Sequence, residues 1–394
     1  MVMTNMKTTD RNWDKTTFAE IMSPAKVVLC GSRQDLPVLS ITMHDGIVEQ
    51  KDRFKKVIAS HDTSKYKVVK NGQLVIAFPI DEGLIYTQDV ADEGIMSPAY
   101  NVWDVNYENF DRRFLGLYFH SPFAMDYYKG NLRGTTQRRR ALPKEALLSM
   151  PIPKPTLLKQ KEIVAEIGAI SSAISLLKKQ TSDLDALTKA LFLDMFGNPG
   201  TNPKDWQLQK LGIVGKIVTG NTPSRNEKEY YNSQFIEWIK TDNIERYSIY
   251  ATKAKEFLSE EGAKKGRIVN EGSLLVACIA GSFNSIGKAC ITNRRVAFNQ
   301  QINAITPKEC IDIKYLYYLI QAMNKIIVGY ASTGMKHILS KSTMERISIP
   351  VPPLSLQQSF ASKVTAVEEA KSSLNTQIAE MQTLLASRMQ YWFD

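Results

Sequence analysis

The stretch IVAEIGAISSAISLLKKQTSDLDALTKALFLDMF, residues 163–196, decides the architecture. Its apolar side chains fall at Ile163, Ile167, Ile170, Ile174, Leu177, Leu184, Leu191 and Met195, in the steps of four and three that make a coiled-coil seam. Thr181 and Thr188 interrupt it. The same seam returns 197 residues later, without a gap, as Phe360, Val364, Val367, Lys371, Leu374, Ile378, Met381, Leu385, Arg388 and Trp392. The correspondence extends upstream, where Ile152, Pro153, Pro155, Leu157 and Gln160 match Ile349, Pro350, Pro352, Leu354 and Gln357. This Pro-rich lead-in is extended, because proline and the residue before it resist the helical conformation.

The chain is therefore two units, each ending in a long helix. Neither apolar stripe is stable alone in water. The two are expected to pair with each other, antiparallel, as rods of about 50 Å for about 35 residues. That arrangement would set the globular units at opposite ends of the rod. A coiled coil between separate chains fits the same pattern, since a seam does not name its partner.

Outside the helices the repeat is weaker. Trp206 corresponds to Trp13, and an offset of 200 places Gly72, Leu74, Ala77, Tyr118 and Gly134 on Gly272, Leu274, Ala277, Tyr318 and Gly334. Short β-type runs at Val38–Thr42, Tyr66–Val69 and Leu74–Phe78, with Asp45-Gly46 and Asn71-Gly72 turns, predict an α+β unit with a mixed, largely antiparallel sheet. Helical patterning follows at Phe110–Tyr128. The expected divisions are residues 1–149, a central helix and linker at 150–203, residues 204–346, and a C-terminal helix at 347–394. A shared scaffold with poorly matched loops implies two surfaces that bind different things.

Charge favours a polyanionic partner. Of a net +10 over 394 residues, +8 falls in residues 204–348, with 21 Lys and Arg against 13 Asp and Glu. Cys30, Cys278, Cys290 and Cys310 show no CxxC spacing and read as reduced core thiols. His44, His61, His120 and His337 are scattered, so no metal site is expected. No apolar run reaches the length of a membrane span and the N-terminus is polar, so a cytoplasmic protein is expected.

Several clusters suit DNA. Lys129 and Arg133 lead into Arg138-Arg139-Arg140, whose guanidinium forks match phosphates and guanine edges; Lys336 stands in the corresponding place of the second copy. The loop holding Thr222, Ser224 and Arg225 offers hydroxyls and a cation, although Gly220 and Pro223 equally suit a turn that bonds to itself. Lys240, Lys288, Arg294, Asn299 and Gln300 flank further turns; Asn and Gln can read adenine or staple loops. Trp206 and Trp238 read as core.

These residues resemble the specificity subunit of type I restriction-modification systems, built as target recognition domain, spacer helix, target recognition domain, spacer helix. The likeness is sharpest in Leu211-Gly212, Gly220-Asn221-Thr222-Pro223-Ser224, Trp238-Ile239, Thr241-Asp242-Asn243-Ile244, Gly272, Ile286-Gly287, Asn299-Gln300 and Gly334. The first half follows a variant pattern through Pro37-Val38-Leu39-Ser40, Tyr66-Lys67-Val68-Val69 and Ser97-Pro98-Ala99-Tyr100, without the Gly-x-Thr-Pro-Ser loop. The resemblance implies two tandem target recognition domains joined by an antiparallel coiled coil, each reading half of a split, asymmetric site in double-stranded DNA. It also implies two methyltransferase subunits docked on the helices, with restriction subunits beyond them. S-adenosylmethionine and ATP would then reside in those partners, with no cofactor and no catalytic residue in this chain. Consistent with that, the sequence has no Walker loop, no GxGxxG after a strand and no Asn-Pro-Pro-aromatic motif. A single-chain DNA-modifying enzyme and a coiled-coil adaptor that ignores DNA are the alternatives.

Overall fold

The computed structural model describes residues 13–32, 35–43, 45–53, 62–133, 142–245, 248–280, 285–332 and 337–394. It divides into two compact units, residues 1–178 with 376–394, and residues 179–375. Each long helix is shared between the two units. Each unit takes one globular part, the start of one long helix and the end of the other, because an apolar seam is covered best where it meets a core.

In the first unit, strand Lys15–Thr17 pairs antiparallel with Pro151–Pro153, the Pro-rich lead-in to the helix. A four-stranded antiparallel sheet runs in the order Met22–Pro24, Asn101–Val105, Leu74–Ile76, Ile85–Thr87. Two antiparallel ribbons, Leu39–Thr42 with Gly46–Glu49 and Lys67–Lys70 with Glu93–Met96, make a second layer. Leu74 and Ile76 face Phe114, Leu115 and Tyr118 of helix Arg112–Phe119, whereas Val75 points the other way, to Leu39, Val69 and Met96. A strand covered on both faces has no polar alternation, which is why this run is apolar throughout. The turn residues Gly46 and Gly72 hold φ of 69° and 88°, the left-handed region where a side chain is strained.

The second unit repeats this plan. Leu208–Lys210 pairs with Ser348–Pro350, and the sheet order is Gly215–Thr219, Ile302–Pro307, Leu274–Ala277, Ala289–Ile291. Leu274 and Val276 face Tyr315, Leu316 and Leu319 of helix Ile313–Ala322, while Leu275 and Ala277 meet Ile239, Val296 and Phe298. Its second layer is another sheet, Phe257–Leu258, Ile236–Ile239, Val296–Phe298, Ile268–Val269, in which Ile236–Ile239 and Val296–Phe298 run parallel.

The repeat reaches single hydrogen bonds. Asp111 caps its helix by accepting from the backbone N–H of Arg113 and Phe114, and Asp312 does so from Lys314 and Tyr315. Buried Gln160 accepts from Asp111 N–H at 2.7 Å and donates to the carbonyls of Asn109 and Pro155, both at 2.9 Å. Buried Gln357 does the same with Asp312 N–H at 2.8 Å, Cys310 O at 3.3 Å and Pro352 O at 2.7 Å. The Tyr118 hydroxyl donates to Pro151 O, and its counterpart is Tyr315 donating to Pro350 O at 2.8 Å. This corrects the expected match of Tyr118 with Tyr318: the helices align from their Asp caps, and the hydroxyl comes from one turn earlier in the second unit. Cys30, Cys278 and Cys290 are buried, as expected of core thiols, but Cys310 is exposed.

The long helices are Leu157–Phe196 and Leu354–Phe393, 40 residues each, or about 60 Å at 1.5 Å per residue. In the first unit Glu166 accepts from Arg388 and from Trp392 Nε1, the latter at 3.0 Å. In the second, Asp185 pairs with Lys371 at 2.7 Å, and Phe192 meets Phe360 edge-on at 5.6 Å between ring centres. Residue numbers rise on one helix as they fall on the other, so both pairings are antiparallel. Ile163, Ile167, Ile174, Phe360 and Val364 are buried, whereas Ile170, Leu177, Leu184, Val367, Leu374, Ile378 and Met381 are half-buried. No helix among the described residues is long and apolar enough to cross a membrane.

Candidate nucleic-acid interface

The second unit gathers several of the expected residues around the loop that follows strand Gly215–Thr219. Gly220 turns the chain there because nothing else fits: a Cβ would lie 2.1 Å from Asn299 O and 2.5 Å from Phe298 O. Beyond it three successive residues are fastened. The Asn221 amide donates to Lys265 O at 2.8 Å and accepts from Arg267 N–H at 2.7 Å. Thr222 donates to the Gln300 side chain, and Pro223 O accepts from the Tyr231 hydroxyl at 2.7 Å. Ser224 and Arg225 stand exposed at the end of this clamped segment.

Arg225 is held without being saturated. Its guanidinium lies over two rings, 4.5 Å from the centre of Tyr231 and 4.8 Å from that of Trp238, and Nη2 donates to Glu256 at 2.6 Å. Lys240 donates to the other oxygen of Glu256 and sits 5.0 Å from the Trp238 ring centre. Nε and Nη1 of Arg225 make no hydrogen bond among the described residues, and the side chain keeps 52% exposure. The Lys240 bond, with that of Arg225, outweighs desolvation and holds the Glu256 carboxyl below its ordinary range, so the group is an anion at neutral pH.

Arg294, expected at a DNA surface, is used inside the fold. Nε and Nη2 donate to the two oxygens of Glu237 at 2.6 and 2.8 Å, Nη1 donates to Ala251 O and the Asn293 side chain, and Nη2 also reaches Thr252 O. A planar donor set with a bidentate carboxylate and two carbonyls fixes loops and has nothing left to offer a base. Asn299 is buried, and its amide bonds to Gln301 at 3.1 Å; this is the stapling that sequence left open beside adenine reading. Gln300 is exposed and tied to Thr222. Lys288 is half-buried in the turn after Gly287, whose φ is 73°. Lys129 and Arg133 are exposed in the first unit. Arg138, Arg139, Arg140 and Lys336 lie outside the described residues, as do Gly134 and Gly334.

Glu256 and Tyr231 escape a reading of the sequence, because no spacing rule links Arg225 to a carboxylate 31 residues on. Trp238 is buried at 3% exposure, as a core residue should be, yet its face carries both cations. The available signal was Trp238-Ile-Lys240 beside a loop ending in Arg225: cations placed where an aromatic face emerges.

This is a duplicated α+β scaffold with a fastened cationic loop. Residues 203–381 match the family model described as the type I restriction modification DNA specificity domain. The chain is 27% identical over 199 residues to the type I restriction enzyme MjaIX specificity subunit of Methanocaldococcus jannaschii, covering 49% of this chain and 45% of that protein. To the HindI specificity subunit of Haemophilus influenzae it is 29% identical over 195 residues, 48% of this chain and 41% of the other. The chain thus spans less than half the length of these curated relatives. Among solved structures, a chain from work on assembly and conformational transition of the type I R-M system superposes with a TM-score of 0.62 at 17% identity, covering 97% of both chains. The type I S subunit of M. genitalium gives 0.55 at 13% identity, over 99% of this chain and 98% of that one. Residues 203–381 thus match a type I DNA specificity domain, and the fold of the whole chain is similar to that of these two solved structures.

Proposed function

We propose that the chain is the address of a type I restriction-modification complex. Each repeat reads one half of a split, asymmetric site in double-stranded DNA, and the long helices dock two methyltransferase subunits, to which restriction subunits add. S-adenosylmethionine and ATP act in those partners, so this chain supplies recognition and geometry rather than chemistry, in the cytoplasm. One observation carries the reading: the same strand order and the same buried Gln and Tyr bonds occur twice, while the loop that presents Arg225 in one copy has no sequence counterpart in the other. A doubled scaffold with unlike loops suits two unlike half-sites.

The test is an exchange. Replacing residues 204–348 with the equivalent part of another specificity subunit, and mapping methylated sites across a genome, should alter one half of the recognised sequence and spare the other. Loss of both halves in a folded chimera would refute independent reading. On the same reading helix length sets the unread gap. Matched heptads inserted after Lys178 and Asn375 fall where the compact units meet in sequence, away from either core. They lengthen each helix by about 10 Å, about three base pairs, and the gap should grow with the half-sites unchanged.

A further inference from the structure

We propose that Arg225 reads a guanine within the half-site bound by the second unit, and that Glu256, Tyr231 and Trp238 are positioning residues that hold its guanidinium for that contact. The inference rests on the DNA-binding reading above and deepens it. Three observations separate base reading from simple phosphate attraction.

The first is order. A surface arginine loses side-chain freedom when a ligand fixes it. Here two ring faces at 4.5 and 4.8 Å and a carboxylate at 2.6 Å have already fixed the plane of the group. Preordering matters for a planar, bidentate contact and little for a diffuse attraction to phosphate.

The second is charge. Arg225 and Lys240 share Glu256, so the trio carries a net +1. A carboxylate beside two cations repels a phosphate, and a phosphate clamp would be better without it. Against an uncharged base edge the same carboxylate does no harm and sharpens orientation.

The third is donor geometry. Nε and Nη1 make no hydrogen bond among the described residues, and Nη2 carries a second hydrogen besides the one given to Glu256, so a two-pronged edge, Nη2 with Nε or with Nη1, stays open on an exposed group that has donors only. Guanine presents two adjacent acceptors, N7 and O6, in the major groove. Adenine puts a donor beside its acceptor, and cytosine presents a donor. The other arginine of this region, Arg294, is engaged on all its nitrogens and cannot act this way.

The experiment uses the full chain assembled with methyltransferase subunits and a random-sequence pool of duplex DNA, the bound fraction being sequenced. Wild type should select a motif with a G·C pair in the half-site of the second unit. Arg225→Lys should lose preference at that pair alone, with binding of the selected duplex about tenfold to a hundredfold weaker. Because the charge is retained, the slope of log affinity against log salt should not change. Glu256→Gln should erode the same preference less, and Arg225→Ala with Glu256→Gln should be no worse than Arg225→Ala, with melting temperatures near wild type throughout. Two results would overturn the proposal: a motif unchanged by Arg225→Lys, or a loss spread evenly over all sequences, as a phosphate contact or a packing role would give. Wild type selecting no motif at all would instead sink the DNA reading on which it rests.

Discussion

The two units fill the same space in different ways. In the first, helix Arg112–Phe119 and the start of the first long helix border a groove of about 1010 Å³, lined among others by Tyr86, Arg113, Gly116, His120, Lys161 and Gly168. Apart from the backbone of its own helix and its chain neighbours, neither Gly116 nor Gly168 has an atom of the described residues within 4 Å of where a Cβ would stand. Counting from the Asp caps and along the helix repeat, their counterparts are Tyr317 and Thr365. There Tyr317 is buried, Lys314 donates to the Thr365 hydroxyl, and Tyr318 donates to Glu368 at 3.0 Å. The seam differs too: Ile174 of the first unit corresponds to Lys371 of the second, both buried. Backbone course is thus set by the shared Asp, Gln and Tyr bonds, while the residues between them are free to leave a groove open or to close it with polar side chains.

The largest effect should test the sameness. Gln160→Ala and Gln357→Ala each strand one backbone N–H and two carbonyls next to a helix cap. Each should cost about 3 kcal/mol or more in denaturant unfolding, given about 1–3 kcal/mol for each buried group left unpaired. Clearly unequal costs would mean that the two caps do not do the same job.

A smaller effect should separate the units. Lys371 bonds Asp185 at 2.7 Å and Glu368 at 3.4 Å, so Lys371→Met leaves two half-covered carboxylates facing apolar surface. About 2 kcal/mol should be lost, below the 3–5 kcal/mol of a fully buried pair because both acids reach water. Neutralising Asp185 and Glu368 as well, to Asn and Gln, should recover most of it. No recovery would show that Lys371 matters for packing, as Ile174 does.

The ion pairs also predict opposite pH responses for the two helix pairings. Burial alone would raise the Glu166 carboxyl, but hydrogen bonds from Arg388 and Trp392 outweigh it and leave the group below its ordinary value. Its folded value lies under its unfolded one, so its contribution is present above about pH 4.3 and fades as pH falls through the folded value. Burial alone would lower Lys371, but the bonds and charges of Asp185 and Glu368 raise it above a free lysine. That contribution is present below the unfolded value of about 10.4 and is lost as pH rises through the folded one. Glu166→Gln should flatten the acid limb of stability against pH and Lys371→Met the alkaline limb; the reverse assignment would refute this electrostatic account.

The smallest effect should be a gain. Gly168→Ala adds a methyl in open space in a long helix and should stabilise the protein by about 0.5–1 kcal/mol, read as a rise in unfolding midpoint. Gly220→Ala, by contrast, drives a Cβ into Asn299 O and should destabilise. If Gly168→Ala destabilises as well, the groove is tighter than its lining indicates.

Local and periodic features were legible without coordinates. The seam from Ile163 to Leu184 and from Phe360 to Met381 announced two helices, because a 3.5-residue apolar period has no other stable use. The 197-residue recurrence announced duplication, and the Asp-Gly and Asn-Gly steps announced turns at Gly46 and Gly72. What pattern could not decide was which polar residue spends its bonds inside the protein. Arg294 and Arg225 look alike in the chain, but tertiary structure closes Glu237, Asn293 and the carbonyls of Ala251 and Thr252 around every nitrogen of one, and sets the other over Tyr231 and Trp238 with no hydrogen bond from Nε or Nη1 among the described residues. Helical and strand periods are local properties that recur every few residues. The fate of a guanidinium depends on a carboxylate 31 or 57 residues away, at a distance along the chain where only the completed fold determines which groups meet.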